Sequence, residues 1–458
     1  MDDWAAVILA AGQGKRMRSS RPKVLHTLAG RPMVRHVVDA LRDAGFERPI
    51  VVVGQGSAQV REALGEGLLY AEQRRRLGTG HALRQAESLA GAAAHVLVLN
   101  GDVPLVSSET IAALAARHRE SGADLSLLTA RVEDSRGLGC LERDRGGRPV
   151  RIIEEADREE PSGGPAQVNA GLYCFRSAWL WPRLRRLTRS ASGEYYLTEL
   201  VARAVQDNEC LEAVVAPQPE EAIGVNDRLQ LAQAEAVLRE RIRRRHLLGG
   251  VTMLDPPTVH IDAGVEIGED TVLWPNTYLL GSTRVGQGCV LGPGTLLADS
   301  VVGARCRVVF SVLEGAVLED DVEVGPFSHL RPGSYIEQGA HIGNFAEVKN
   351  ARLGRRTRMG HFGYLGDAQV GRDVNVGAGA ITCNFDGTRK HRTVIGDGAF
   401  IGSDTMLVAP VEVGPRSATG AGSVVNHDVP PDSLAVGMPA RIRRRRAGTR
   451  TGRRSKGA

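Results

Sequence analysis

The residues most able to do chemistry in the first half of the chain are a glycine-rich stretch and two cations. The stretch Leu-Ala-Ala-Gly-Gln-Gly-Lys-Arg, residues 9–16, follows a short apolar run, and Lys23 comes soon after it. A glycine-rich turn that leaves a parallel strand lets backbone N–H groups approach phosphate oxygens. Arg16 and Lys23 can neutralise the charge of those phosphates. Because a purely structural turn would not explain the two cations, we predict a phosphate-binding loop.

A carboxylate follows a second apolar run in the same half. Asp102 closes the sequence Asn100-Gly101-Asp102, directly after the run at residues 96–99. Ligands of open α/β sheets bind at the carboxyl ends of the strands, where this carboxylate is expected to lie. Carboxylate oxygens and substrate phosphates are the ligands that Mg²⁺ prefers. The position therefore predicts a magnesium ion beside the phosphates.

Bulky polar residues in the second half recur at intervals of about one coil of the repeat described below. Arg331, Lys349 and the segment from His361 to Tyr364 interrupt an otherwise plain sequence. Two cations on neighbouring coils form a plausible phosphate clamp. A nearby imidazole can act as a general base toward an amine, because its pKa lies close to working pH. These residues predict a second site that binds a phosphate and removes a proton.

The element that must position this second site is a repeat of six residues between positions 261 and 425. Aliphatic residues recur every six positions, with slips of one, and glycine often follows them. Neither a helix, with a period of 3.6, nor a simple strand, with a period of 2, produces this pattern. A hexapeptide β-helix does, since each coil has three short strands with one inward aliphatic residue each. We expect the left-handed coiling that known hexapeptide proteins show.

The first half has a different organisation, which predicts an α/β fold. Apolar runs read as buried strands at residues 7–11, 49–54, 96–100 and 125–130, and amphipathic stretches read as helices at 34–45, 81–90 and 108–121. Such alternation indicates a mostly parallel, Rossmann-like sheet with helices on both faces. The predicted domains are residues 1–226 for this sheet, 227–250 for a linker helix, 251–440 for the left-handed parallel β-helix and 441–458 for a basic disordered tail.

Charge and cysteine content exclude several functional classes. The net charge is +5, but the segment after Ala440 contains nine basic residues and no acid, so the first 440 residues carry −4. That segment lacks aromatic residues and periodicity, which favours a solvated end over a specific nucleic-acid site. The six cysteines include no CxxC pair, as expected in a reducing compartment. No signal peptide or membrane-spanning run is evident, so we expect a cytoplasmic protein without membrane insertion.

The motifs together resemble a known family. The pattern LAAGxGxRM with a following Pro-Lys is similar to the sugar-nucleotide pyrophosphorylases. Gln73 before Gly78-Thr79, together with Asn226, narrows this resemblance from the pyrophosphorylases as a whole to one family among them. From residue 7 to about residue 440 the chain resembles the bacterial bifunctional N-acetylglucosamine-1-phosphate uridylyltransferases and glucosamine-1-phosphate N-acetyltransferases. The resemblance implies two transfers, acetyl from acetyl-coenzyme A to glucosamine 1-phosphate and then uridylyl from UTP to N-acetylglucosamine 1-phosphate, in the service of peptidoglycan and lipopolysaccharide synthesis.

The resemblance also implies roles for residues of the uridylyltransferase half. Asp102 and Asn226 hold Mg²⁺, and Arg16 lies beside the triphosphate as a catalytic residue. The residues implied in nucleotide and sugar binding are Leu9, Ala10, Ala11, Gly12, Lys23, Gln73, Gly78, Thr79, Asn100, Gly101, Gly139, Glu154 and Asn169. Position 100 departs from the family, because Tyr or Ser is expected where this chain has Asn.

The acetyltransferase half receives its roles from the same resemblance. His361 is the base for the glucosamine amine, Arg331 and Lys349 hold the sugar phosphate, and Tyr364 and Asn375 hold the ring. The residues implied in acetyl-coenzyme A binding are Ala378, Asn384, Phe385, Ser403 and Ala421. An arginine expected before the tail is missing, so Arg441 is the candidate for that contact. Residues 382–394 leave the repeat, as would a loop that reaches a neighbouring subunit. The resemblance also implies that the protein is a homotrimer.

Three alternatives stay open on the sequence alone. One is an enzyme with nucleotidyl transfer only, although Arg331, Lys349 and His361 would then be unexplained. A second is a non-catalytic regulatory scaffold of the same architecture, against which Lys23 and Asp102 argue. A third keeps both activities but uses another nucleotide such as dTTP. A single sequence does not prove the contacts that would read the base.

Overall fold

A computed structural model describes residues 3–157, 164–190 and 193–444 of the chain. It divides into two compact units, Met1–Glu240 and Arg241–Ala458. Both are built from the elements that the sequence predicts, an α/β sheet in the first unit and short parallel strands in the second.

The first unit contains a mixed sheet in which one of the seven main strands runs antiparallel to the other six. The strands follow in the spatial order Leu211–Val215, Leu125–Val132, Ala166–Arg176, His95–Asn100, Trp4–Ala10, Ile50–Val53 and Leu69–Glu72. Ala166–Arg176 is antiparallel to both of its neighbours, and the other pairs are parallel. Two further strands, Cys140–Arg143 and Pro149–Ile153, form an antiparallel hairpin whose first strand joins Ala166–Arg176. The α/β prediction is confirmed, with one antiparallel strand that alternation alone did not reveal.

Helices cover both faces of this sheet, because successive strand side chains point to opposite sides. Val7 packs with helices on one face, and Ile8 packs with helices on the other. The predicted helix at 81–90 is two helices that meet at Ala86. The α-helices are Met33–Asp43, Ser57–Leu64, Thr79–Gln85, Glu87–Ala90, Ser108–Ser121, Ser177–Arg185, Glu199–Gln206 and Arg228–Leu248. Short 3₁₀ turns occur at Lys15–Met17, Lys23–Leu25, Glu155–Asp157, Pro219–Ala222 and Pro256–Thr258, and a two-stranded ribbon joins Thr27–Leu28 to Arg31–Pro32.

The second unit is the predicted left-handed parallel β-helix, with three sheets that serve as its faces. The first face consists of Thr252–Met253, Val272–Leu273, Val290–Leu291, Arg307–Val308, Glu323–Val324, His341–Ile342, Arg358–Met359, Asn375–Val376, Phe400–Ile401, Ala418–Thr419, Ser433–Gly437 and Ala440–Arg444. The second face consists of His260–Ile261, Tyr278–Leu280, Leu296–Ala298, Val312–Glu314, His329–Leu330, Ala346–Lys349, Gly363–Gly366, Ile381–Cys383, Met406–Val408 and Val424–Val425. The third face consists of Glu266–Ile267, Arg284–Val285, Val301–Val302, Val317–Leu318, Tyr335–Ile336, Arg352–Leu353, Ala368–Val370, Thr393–Ile395 and Val411–Val413.

The aliphatic residues of the six-residue repeat form the core of this β-helix. Leu273, Leu279, Leu291 and Leu297 are all completely buried. Each strand pairs in register with the equivalent strand of the next coil, so that Leu273 lies beside Leu291. Full burial of a leucine side chain contributes about 1.5–3 kcal/mol, which makes the repeat the main source of stability in this unit.

The corner between the third and first faces carries one left-handed residue per coil. Arginine, aspartate and glycine occupy this position in turn. The series is Asp270, Gly288, Arg305, Asp321, Gly339, Arg356, Asp373, Gly398, Arg416 and Asp432, all with φ between 56° and 68°. Each arginine forms an ion pair with the aspartate of the next coil, with distances of 2.7 Å, 2.7 Å and 2.6 Å. We call this series the ionic corner.

Two predicted boundaries differ from the structure. Helix Arg228–Leu248 is not a separate linker, because the division between the units falls within it and Ala234 packs in an apolar cluster with Leu28 and Met33. The predicted disordered tail begins with ordered residues, since Ala440–Arg444 pairs with Ser433–Gly437, and residues 445–458 lie outside the described part. No helix among the described residues is long and apolar enough to cross a membrane.

Candidate functional site

The glycine-rich turn and Asp102 lie side by side because their strands are neighbours. Trp4–Ala10 and His95–Asn100 pair in parallel, with Leu9 opposite Asn100. The N–H of Gly101 donates to the carbonyl of Leu9 at 2.9 Å, which extends the pairing past the end of the strand. The two segments therefore leave the same edge of the sheet together, as the sequence predicted.

Two adjoining cavities open at this edge. The larger, of about 660 Å³, contains most of the predicted nucleotide residues: Leu9, Ala11, Gly12, Lys23, Gln73, Gly78, Thr79, Asn100 and Asp102. The smaller, of about 250 Å³, contains Arg16, Gly139, Glu154, Asn169 and Asn226. Both cavities share Thr79, Asn100, Asp102 and Glu194. Of the predicted residues in this half, only Ala10 and Gly101 line neither cavity.

Lys23 links the predicted metal ligands. Its ammonium group forms an ion pair with the carboxylate of Asp102 and donates to Oδ1 of Asn226 at 3.0 Å. The side chains of Lys23 and Asp102 are only 11% and 20% exposed. A carboxylate and an amide oxygen thus already converge on one cation. Since Mg²⁺ takes oxygen ligands and uses only one or two protein groups beside substrate phosphates, this donor set fits the ion.

No larger cluster competes for this assignment. Among residues 3–157, 164–190 and 193–444, no group of three or more His, Cys, Asp or Glu side chains could hold a metal ion. A metal site with more protein ligands, of the kind that zinc requires, is therefore not available in that part of the chain.

Gln73 is fixed at the inner wall of the larger cavity. The buried side chain donates through Nε2 to the carbonyl of Gly78 at 3.1 Å and lies 3.0 Å from Nδ1 of His81. Gly78 has φ of 94°, and a Cβ there would lie 2.6 Å from the carbonyl of Tyr195. Glycine is therefore required at this position. The amide oxygen of Gln73 remains the group that can read a base edge.

Polar side chains around the smaller cavity are connected in pairs. Oγ1 of Thr198 donates to Glu154 at 2.8 Å, and Nδ2 of Asn169 lies 2.6 Å from the hydroxyl of Tyr173. Burial, together with the negative charge of Glu154, raises the pKa of Tyr173 well above its usual range. The phenol therefore stays protonated, and the cavity presents fixed neutral and anionic hydrogen-bonding groups suited to a sugar.

Several lining residues were not predicted from the sequence. Glu194 lines both cavities, and Tyr196 and Leu197 line the smaller one. They come from a segment that is hydrogen-bonded to the loop at Gly78: the N–H of Tyr195 donates to the carbonyl of Leu77 at 2.7 Å. Arg76 lines the larger cavity. The pair Tyr195-Tyr196 could have indicated that this segment belongs to the site, since aromatic residues make up only 4% of the chain.

The second face of the β-helix brings the predicted phosphate clamp together. His329, Glu347 and Tyr364 are stacked in register on three successive coils. Arg331 donates to Glu347 at 2.8 Å. The neighbouring Lys390 and, to a smaller extent, Arg331 lower the pKa of Lys349. Closely spaced like charges of this kind favour binding of an anion, because an anion removes their repulsion.

His361 lies at the corner between the first and second faces. It precedes strand Gly363–Gly366, which carries Tyr364, and its side chain is exposed. Asn375 lies on the first face, opposite Arg358 and Phe400. The structure thus places Arg331, Lys349 and Tyr364 on one face, His361 at its edge and Asn375 on the adjacent face.

The same corner carries small side chains on the coils after His361. The Asp404 N–H donates to the carbonyl of Ala378 at 2.7 Å, and the Gly422 N–H donates to the carbonyl of Ser403 at 2.8 Å. Ala378, Ser403 and Ala421 therefore follow one another on successive coils. Below His361 the corner carries Phe310, Phe327 and Phe345, stacked with ring centroids 5.5 Å and 5.4 Å apart.

The predicted loop at 382–394 is shorter than expected and is a hairpin. Residues 382, 383, 393 and 394 belong to strands that keep the register of the coils. The hairpin closes through a bridge between Phe385 and Lys390. Asp386 accepts from the backbone N–H of Arg389 and from His391 Nε2, and these bonds hold the pKa of Asp386 well below its usual range.

The remaining predicted residues occupy separate positions. Asn384 is buried and lies 3.5 Å from the hydroxyl of Tyr364, whereas the Phe385 side chain is 60% exposed. Arg441 lies in strand Ala440–Arg444, opposite Val436, and is exposed. Asn384 therefore joins the second face, and Phe385 projects from the hairpin.

Comparison with known proteins agrees with this division. Residues 6–216 match the model of the MobA-like NTP transferase domain, and residues 264–299 and 392–427 match the bacterial transferase hexapeptide model. The protein named bifunctional protein GlmU from Heliobacterium modesticaldum is 45% identical over 95% of this chain and 96% of its own. Proteins of the same name from Trichlorobacter lovleyi and Pelobacter propionicus are 46% and 45% identical over 96% and 97% of this chain, and over 96% and 98% of their own. The family predicted from the motifs is confirmed: the chain belongs to the bifunctional GlmU proteins.

Proposed function

We propose that the two activities of this bifunctional transferase are divided between its two units. Uridylyl transfer from UTP to N-acetylglucosamine 1-phosphate takes place in Met1–Glu240, and acetyl transfer from acetyl-coenzyme A to glucosamine 1-phosphate takes place in Arg241–Ala458. The observation that carries this proposal is the presence of two unrelated clusters of basic side chains, one around Lys23 and one around Lys349, each suited to phosphate. The product, UDP-N-acetylglucosamine, feeds peptidoglycan and lipopolysaccharide synthesis.

In the uridylyl reaction the larger cavity takes the nucleotide and the smaller one the sugar. Gln73 reads the base, and the N–H groups of the turn at Gly12 approach the phosphates. Glu154 and Asn169 hold the acetylated sugar in the smaller cavity. The sugar phosphate then attacks the α-phosphorus in line, and pyrophosphate leaves. Positioning and charge neutralisation carry most of such a transfer.

The cation of this site is Mg²⁺, held by Asp102 and Asn226. When bound, the ion neutralises charge on the phosphates of UTP. In the protein without substrates, Lys23 lies between these two ligands, so it is expected to turn toward the phosphates when they bind. Arg16 lines the smaller cavity and can contact the phosphate at the junction of the two.

In the acetyl reaction His361 removes a proton from the glucosamine amine, which then attacks the thioester carbonyl; the amide bond forms, the carbon–sulfur bond breaks, and coenzyme A leaves as the thiol. Arg331 and Lys349 hold the phosphate of the sugar, and Tyr364 and Asn375 hold its ring. Acetyl-coenzyme A lies along the corner that carries Ala378, Ser403 and Ala421, because their small side chains leave room there. Asn384, Phe385 and Arg441 complete the coenzyme site.

The protein assembles as a homotrimer through the β-helix. Phe310, Phe327 and Phe345 expose 43%, 55% and 60% of their surface in one stacked column. An apolar column of this size on a rigid face is typical of a subunit interface. The hairpin that carries Phe385 then reaches a neighbouring subunit. We place the enzyme in the cytoplasm, where the six cysteines remain thiols.

The test is an assay with two independent readouts. The protein is incubated with glucosamine 1-phosphate, acetyl-coenzyme A, UTP and Mg²⁺, and thiol and pyrophosphate release are followed separately. Both should appear, with thiol release preceding pyrophosphate release. Thiol release without pyrophosphate, or pyrophosphate formed only with another nucleotide such as dTTP, would contradict the assignment of the first unit.

A further inference from the structure

Arg76 is a cation of the nucleotide cavity to which neither the motifs nor the family resemblance gave a role. It is the third of three consecutive arginines, residues 74–76, in the loop after strand Leu69–Glu72. Such a charge run reads as solvated surface. In the structure, however, Arg76 lines the larger cavity together with Gly12, Gly14 and Lys15.

The side chain of Arg76 is exposed, and two neutral side chains orient its guanidinium group. Nη1 donates to the side-chain oxygen of Gln13 in the glycine-rich turn, and Nη2 donates to that of Gln55 in the loop after Ile50–Val53. Three loops at the carboxyl edge of the sheet are thereby tied together. Because arginine has five N–H donors, donors remain for a ligand after these two bonds.

Among the described residues Arg76 forms no ion pair with a carboxylate, and its side-chain partners are Gln13 and Gln55. Lys23 differs, since its charge is paired with Asp102 in the same cavity. Arg74, two residues before Arg76, also differs, because its side chain is 86% exposed and lies 3.9 Å from Glu72. A guanidinium oriented by neutral partners beside a glycine-rich turn is suited to phosphate oxygens, which it can bind in a bidentate manner.

We propose that Arg76 is a further phosphate-binding residue of the uridylyl site, in contact with the β- and γ-phosphates of UTP that leave as pyrophosphate. The inference rests on the proposed function of the first unit. Asp102, Gln13 and Arg76 line the same cavity, and we place the α-phosphate and the ion beside Asp102 and the two outer phosphates beside Gln13 and Arg76. Negative charge grows on them as the bond to the α-phosphorus breaks, and a cation there stabilises that charge.

The test compares Arg76→Gln with the matched control Arg74→Gln in the full-length protein. Binding of UTP, UMP and pyrophosphate is measured by calorimetry in the presence of Mg²⁺. Arg76→Gln should weaken UTP and pyrophosphate binding about 10- to 100-fold, the usual effect of losing charge-assisted hydrogen bonds, and leave UMP binding within about twofold of wild type. Arg74→Gln should leave all three unchanged, and Arg76→Lys should restore part of the loss.

Two results would overturn the role of Arg76. Unchanged UTP and pyrophosphate binding in Arg76→Gln would show that the guanidinium does not reach the phosphates. Equal weakening of UMP and UTP would show that Arg76 only supports the cavity wall. Failure of the wild-type protein to bind UTP or release pyrophosphate would instead refute the proposed function itself.

Discussion

The ion pair between Lys23 and Asp102 makes Asp102→Asn an informative substitution. The change removes the anionic ligand of the predicted Mg²⁺ site and also leaves the Lys23 ammonium, in a side chain only 11% exposed, without its carboxylate. Pyrophosphate release should fall by orders of magnitude. Thiol release from acetyl-coenzyme A should continue near the wild-type rate, because the proposed acetyl site belongs to the other unit.

The magnitude of the stability effect follows from the burial of the pair. Removing one partner of a fully buried ion pair costs about 3–5 kcal/mol. Asp102 is 20% exposed, and Asn226 still accepts from Lys23, so about 2 kcal/mol is expected. For a unit of this size that corresponds to a decrease of roughly 4–8 °C in Tm. Differential scanning calorimetry should show the decrease in one transition and not in that of the β-helix.

A double substitution separates stability from metal binding. Lys23→Met removes the cation while keeping the side-chain volume, so the variant with both Asp102→Asn and Lys23→Met should recover most of the lost Tm without recovering pyrophosphate release. Unchanged pyrophosphate release in Asp102→Asn would exclude Asp102 as a metal ligand. Strictly additive Tm decreases in the double variant would show that the ion pair does not form in solution.

Three further substitutions test other parts of the structure. His361→Ala should reduce thiol release about 10²–10⁴-fold, the usual effect of losing a positioned base, and leave pyrophosphate release intact. Burial, and to a smaller extent the nearby His95, lowers the pKa of His118 to about 4 from its ordinary 6.5, so the unfolded chain binds a proton that the folded chain excludes. Stability of the first unit should therefore fall between pH 6.5 and pH 4, by up to about 3 kcal/mol, and urea denaturation of His118→Phe should show a flatter pH dependence. Phe327→Glu should dissociate the proposed trimer in sedimentation experiments and reduce thiol release.

Each of these has a distinct contrary outcome. Loss of both activities in His361→Ala would mean that the residue is structural. An unchanged pH slope in His118→Phe would assign the acid sensitivity to other groups that face it, such as Asp124 and His95. A Phe327→Glu variant that still sediments as a trimer would place the interface elsewhere on the β-helix. A wild-type monomer with full acetyltransferase activity would refute the trimer as well.

The β-helix was the most predictable part of the molecule, because its core depends on one repeated local rule. Most inward strand positions are aliphatic, with Thr382 and Thr419 as exceptions, so residues such as Leu279 and Leu297 identify the coils without knowledge of distant contacts. The α/β sheet was predicted in outline only. The antiparallel strand Ala166–Arg176 pairs with strands that lie far away in sequence, and no local feature of the chain reveals that choice.

The candidate site shows the same limit. Gly12, Lys23 and Asp102 carry their chemistry in short motifs and could be named from the sequence. Glu194 and Arg76 could not, because their roles depend on which of several exposed charges turns toward the cavity. That orientation is decided by contacts across the sheet edge, such as the one between Arg76 and Gln55.

The ionic corner indicates how the β-helix could acquire an inserted loop during evolution. The hairpin between Ile381–Cys383 and Thr393–Ile395 adds residues to a single coil, yet the strands on either side resume their register. The corner resumes as well, with Gly398, Arg416 and Asp432 in their expected order. Insertions at one corner therefore leave the others undisturbed, and new loops can be gained or exchanged without the solenoid having to be rebuilt around them.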